Sequence, residues 1–125
     1  MTSVTHERQA DDLWSSAERK QRLEQEVARY VRLLTEHGDP ERVIVFGSLA
    51  TGQVHTWSDI DLVIIQRTDL AFFQRLRQMR RLLQPQVGTD ILVYTPEEFE
   101  QLCGERAFFQ EEILDRGVVV YERSD

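Results

Sequence analysis

The sequence predicts an α+β protein, one domain in which a mixed β-sheet is flanked by helices. Three observations predict this. Short runs rich in Val and Ile alternate with segments of helical periodicity, in the order helix, strand, strand, helix, strand, helix, helix, strand. The 125 residues suffice for one core and hardly for two. The composition, 41% hydrophobic with both charge signs well represented, is that of an ordinary globular protein.

The elements follow in chain order. Residues 1–10 are polar and aperiodic and read as a frayed end. We expect 1–14 to be a flexible N-terminus and 15–125 to be the folded domain. Ser15 and Glu18 have capping-box spacing and predict the first helix start. Leu23, Val27, Tyr30, Val31 and Leu34 then recur at helical spacing. The charged residues between them read as a solvated face. Gly38 reads as a left-handed cap, and Asp39-Pro40 as the break before a strand. Val43 to Phe46 and Leu62 to Ile65 are bounded apolar runs of strand type. Thr68 or Asp69 can cap a second helix over 69–83, with Leu70, Phe73, Leu76 and Leu83 inward, joined by Phe72 and Met79. Its Arg75, Arg77, Arg80 and Arg81 read as a basic outer face; the sharper alternative gives one or two of them a phosphate or an acidic partner. Residues 89–94 predict a third strand. Thr95, Pro96 and Glu98 predict a capped helix start. A helix over roughly 105–116 follows, ended by Gly117, and Val118 to Tyr121 predict the last strand.

The bulk numbers exclude several classes. No apolar run approaches about 18 residues, so no membrane span is expected. The N-terminus lacks a signal-peptide pattern. One cysteine, Cys103, permits no internal disulfide and reads as a small buried hydrophobe in a reducing, cytoplasmic setting. The net charge of -7 disfavours direct nucleic-acid binding, because the phosphate-neutralising charge is missing overall. A nucleotide remains possible, since metal ions can supply positive charge locally.

The stretch VIVFGSLATGQVHTWSDIDLVII, residues 43–65, carries the chemistry. Gly47-Ser48 ends one strand in a sharp turn. Asp59 and Asp61 open the next, and on a strand that spacing puts both on one face, roughly 6.5–7 Å apart. Gly47 lets backbone approach a phosphate, and Ser48 adds a hydroxyl and an N–H. Carboxylates supply the oxygens that Mg²⁺ prefers. Asp90, near the start of the third strand, is the candidate third carboxylate, as ligand or as base. Each piece alone is commonplace; the combination carries the inference. His55 reads as a loop histidine, with contact to base, ribose or acceptor as the alternative. His6 and His37 read as solvent-facing. No His/Cys cluster has zinc spacing.

At these residues the chain resembles the minimal nucleotidyltransferases of the DNA polymerase β superfamily. Their pattern is Gly-Ser, ten residues, Asp-x-Asp. Here Gly47-Ser48 is followed by Leu49 to Ser58 and then Asp59-Ile60-Asp61. Ser58, Ala50, Gly52, Asp90 and the VYTPEEF that follows also fit. The motif core spans 42–94 and the resemblance 42–121. One departure is Thr51, where many relatives have Arg. The resemblance implies AMP transfer from ATP to a hydroxyl with Mg²⁺, two ions being expected. It implies Asp59, Asp61 and Asp90 as metal and catalytic residues, with Gly47 and Ser48 at the triphosphate.

After Tyr121 the sequence offers no domain to grip an acceptor, so the acceptor is expected from another chain. Small members of this family are often paired with a HEPN-domain ribonuclease toxin, which the nucleotidyltransferase adenylylates on tyrosine as its antitoxin. That is the leading expectation, in a hetero-oligomer. The alternatives are an adenylyltransferase for a small hydroxylated molecule and a nucleotide-binding module that neutralises a partner without catalysis. A polymerase is not expected.

Overall fold

The computed structural model describes residues 2–124, with side chains over 16–124. It has helix α1 (Thr2–His37), β1 (Arg42–Phe46), a short α2 (Ser48–Thr51), β2 (Ile60–Ile65), α3 (Phe72–Leu83), β3 (Thr89–Tyr94), α4 (Pro96–Glu105), a π-helical segment (Phe109–Asp115) and β4 (Val118–Glu122). The strands form one mixed sheet in the order β3-β2-β1-β4. β1 pairs antiparallel with β2 and with β4, and β2 pairs parallel with β3.

Strand alternation divides the core in two. Val43, Val45, Ile60, Leu62, Ile64, Ile91 and Val93 face α1 and α3. Ile44, Phe46, Val63 and Ile65 face Phe99 of α4 and Ile113 of the π-helical segment. The predicted helical face of α1 is the one that packs: Leu23, Tyr30 and Leu34 are fully buried, and Val27 nearly so. No helix among the described residues is long and apolar enough to cross a membrane.

Several sequence expectations need correction. α1 runs on from Thr2, so Ser15 and Glu18 stand inside it and do not start it. The segment before them holds neither Gly nor Pro and includes the good helix formers Glu7, Arg8, Gln9 and Ala10. His6 lies outside the described side chains. Gly38 follows the helix without the left-handed backbone expected of it. α3 starts later than predicted, with Ala71 at its N-cap. Thr68 accepts a hydrogen bond from the Leu70 N–H instead.

The buried line of α3 is Arg75, Met79 and Leu83, while Phe73 is exposed. Arg75 therefore does not belong to an outer basic face. Its guanidinium donates to both oxygens of Glu98 and to the carbonyls of Leu70 and Val93. Glu98 is free to receive it because it already sits at the third position of α4. There Thr95 and Glu98 make the predicted reciprocal cap.

Glu26, expected on the solvated face of α1, is buried too. It accepts hydrogen bonds from Arg29 and from the Gln86 backbone N–H. The Arg29 bonds first, and then the Gln86 bond, outweigh burial and hold its carboxyl down at about 2. A depressed pKa adds stability that is present above the ordinary Glu range and lost as pH falls towards 2. Glu26→Gln loses the paired oxygens. Urea unfolding should show it less stable by about 2 kcal/mol at pH 7, with the difference from wild type shrinking below pH 4.

Candidate active site

The pairing register builds the site. Phe46 of β1 stands opposite Asp61 of β2, and Asp61 stands opposite Asp90 of β3. The three form a row across the sheet, on the face of α4 and the π-helical segment. Asp61 and Asp90 are direct cross-strand partners on one face, near enough for each carboxylate to feel the other. Burial first, and then the charge and hydrogen bond of Asp90 and the charge of Asp59, push Asp61 up to about 6.

Gly47 allows this crowding. Its backbone has φ of 75°, a region that favours glycine, and a Cβ there would lie 2.2 Å from Asp61 Oδ2. Gly88 does the same for Asp59: its Cβ would lie 2.4 Å from Asp59 Oδ1. The Gly-Ser turn was legible in the sequence, whereas Gly88 read only as part of a loop. Ser48 opens α2, a short helix that the sequence reading missed inside the polar passage. Thr51, in place of the family's Arg, turns its hydroxyl back on the Gly47 and Ser48 carbonyls, 3.4 Å from each.

Asp59 stands apart from the other two carboxylates. It precedes β2, is exposed, and lies 3.5 Å from Arg19 of α1. Arg19 also donates to the Ser58 carbonyl at 2.9 Å. Nothing in the sequence marks this arginine as a site residue, since it sits on a helix remote from the motif. Among the described residues no three His, Cys, Asp or Glu side chains are grouped so that they could hold a metal ion as they stand. The donor set is nonetheless that of a hard cation: carboxylate oxygens, two of them crowded into mutual repulsion that a cation would relieve.

The loop before Asp59 is tightly turned. The His55 N–H donates to Ser58 Oγ at 2.7 Å, and the Ser58 N–H returns to the His55 carbonyl. His55 stacks on Trp57, whose rings are 5.6 Å apart at 15°. On the other side of the sheet, Tyr30 and Thr89 share a buried hydrogen bond of 2.7 Å, which anchors the residue before Asp90 to α1.

The sequence matches the family model described as polymerase beta, nucleotidyltransferase, over residues 29–125. Two solved structures are similar. One is a Sulfolobus solfataricus protein with a provisional nucleotidyltransferase designation, at 20% identity and TM-score 0.64, covering 87% of this chain and 88% of that one. The other is a toxin-antitoxin structure with AMP-PNP, at 16% identity and TM-score 0.50, covering 78% of this chain and 73% of that one. At these identities the likeness is one of fold. A comparison with curated proteins yields no match.

The raised pKa of Asp61 has a consequence for the chain without metal. A carboxyl raised from its ordinary value of 3.8 to about 6 favours the fold below pH 4, and that contribution is lost as pH rises through 6. Asp61→Asn keeps a hydrogen-bonding side chain and removes the charge. In the presence of chelator its Tm should exceed that of wild type by a few degrees at pH 8 and by almost nothing at pH 4. Partial exposure of Asp61 tempers the size of the effect.

Proposed function

The chain belongs to the polymerase beta nucleotidyltransferase family, and we propose that it transfers AMP from ATP to a hydroxyl. We further infer that the hydroxyl is a tyrosine of a partner HEPN-domain ribonuclease, which the chain neutralises as an antitoxin. The observation that carries the chemistry is the Asp61–Asp90 pair, set side by side by strand register and closed on by the Gly47 turn.

On this reading Gly47 presents bare backbone to the triphosphate, and Ser48 adds its hydroxyl and N–H. Asp59, Asp61 and Asp90 would hold Mg²⁺, which when bound neutralises the triphosphate and the charge that develops in transfer. Asp59 would have to leave Arg19 to join them. Asp90, the exposed member of the pair, takes the proton of the attacking hydroxyl. The acceptor oxygen bonds to the α-phosphorus, the bond from that phosphorus to the bridging oxygen breaks, and pyrophosphate leaves with the electron pair.

Two observations support the partner. The toxin-antitoxin structure with AMP-PNP has the same fold, and an acidic chain of net charge -7 suits a basic ribonuclease. A reducing, cytoplasmic setting accords with the single Cys103.

The test is the intact mass of the protein encoded beside this chain, after incubation with the chain, ATP and Mg²⁺. Whole AMP units should be added, and Asp61→Asn should slow their addition at least roughly a hundred-fold. A stable complex with no added mass, neutralised equally by wild type and Asp61→Asn, would replace this reading with that of a binding module.

A further inference from the structure

Phe108 is half-exposed, 49% open to solvent, beside the row of site residues. Its ring meets Phe46 edge to face, with centroids 6.0 Å apart at 86°. Phe46 is the residue paired with Asp61, and Gly47 follows it. The next ring, Phe109, turns the other way and packs on Tyr94 and Phe99 in the core. The two rings meet edge to face, 5.6 Å apart at 85°, where the chain enters the π-helical segment Phe109–Asp115, with Phe109 on the core side and Phe108 left half-exposed. Such segments are rare and recur at functional sites. Here the helix spends regular geometry, and one large apolar ring is left partly in water on the face that holds Asp61 and Asp90.

We propose that Phe108, backed by Phe46, is the wall against which the nucleobase of the nucleoside triphosphate stacks. The proposal rests on the nucleotidyl-transfer reading above and adds the base subsite to it. Distance selects the base over the acceptor. One cross-strand step of about 5 Å plus the 6.0 Å Phe46–Phe108 separation puts the Phe108 ring up to about 11 Å from Asp61, with a base stacked on it about one ring thickness away. A phenolic acceptor carries its hydroxyl on the ring and must come directly to the α-phosphorus, so its ring lies closer in. A base is held away from that phosphorus by the ribose, which suits the longer span. Stacking on a phenyl ring reads area, not hydrogen-bonding edges. The subsite therefore favours purines over pyrimidines and separates adenine from guanine weakly.

The experiment is calorimetric titration of the full chain with α,β-methylene-ATP and Mg²⁺, with inorganic tripolyphosphate as the ligand that lacks a base. Phe108→Ala should raise Kd for the nucleotide roughly ten-fold and leave that for tripolyphosphate unchanged. Phe108→Trp should restore binding. Phe108→Leu keeps the packing on Phe46, removes the stacking face and should behave as Phe108→Ala does, so a failure of one variant to fold leaves the question decided by the other. Wild type should bind the guanosine analogue within a few-fold of the adenosine one and the cytidine analogue more weakly; Phe108→Leu should flatten that series. Unchanged nucleotide affinity in both variants overturns the proposal. So does equal loss for tripolyphosphate, which would mark a structural role, and so does loss confined to Trp57→Ala. If wild type binds neither ligand, the nucleotidyl-transfer reading itself falls. If it binds both and Phe108 is silent, only the base subsite does.

Discussion

The like-charge pair Asp61–Asp90 is the constraint on which the site depends. Two carboxylates do not come together unaided; burial and their mutual charge both oppose it, and Asp61 records the cost in its raised pKa. Strand pairing imposes the contact. β2 and β3 run parallel from Ile60↔Thr89 to Ile65↔Tyr94, so every hydrogen bond along the ladder fixes Asp61 against Asp90. A slip of one residue would send one of them to the opposite face. Gly47 and Gly88 then bring backbone against Asp61 and Asp59, where a side chain would collide.

Helix α1, from the opposite face of the sheet, steadies the two loops that deliver these carboxylates. Tyr30 holds Thr89, Glu26 holds the Gln86 N–H, and Arg19 holds the Ser58 carbonyl. Thr89 and Asp90 are successive residues of one strand and point to opposite faces. The first is locked into the core, and the second is presented to the site. The same period-two geometry that builds the core therefore aims the chemistry, with no separate scaffold.

Much of this was legible in the sequence, for identifiable reasons. The strands were bounded apolar runs, and β1, β2, β3 and β4 stand where Val43–Phe46, Leu62–Ile65, 89–94 and Val118–Tyr121 predicted. The carboxylates and the Gly-Ser turn were local in sequence, so spacing alone grouped Asp59, Asp61, Gly47 and Ser48. What escaped was set by tertiary pairing. Arg75 and Glu26 read as solvated because charge predicts exposure, and each is buried by a partner that only the fold supplies, Glu98 for one and Arg29 with the Gln86 N–H for the other. Arg19 reaches Asp59 across 40 positions of sequence. The start of α1 was misplaced because a good capping pair can also occur inside a helix. Phe108 fell within the helix predicted over roughly 105–116, and nothing in the sequence marked its ring as half-exposed.

The cost of the site is offset where the sheet is most deeply covered. β2 lies between β1 and β3, and Ile60 with Leu62 to Ile65 is almost wholly buried between the two helical layers. Each such side chain contributes about 1.5–3 kcal/mol on leaving water. The strand that carries the unfavourable Asp61 is thus the one with the most apolar burial to hold it in register. Asp61 lies at its entry, beside the loops, where a ligand can reach. That arrangement explains how one residue can be both destabilising and fixed: the core determines its position, and its own charge has no route to a different one.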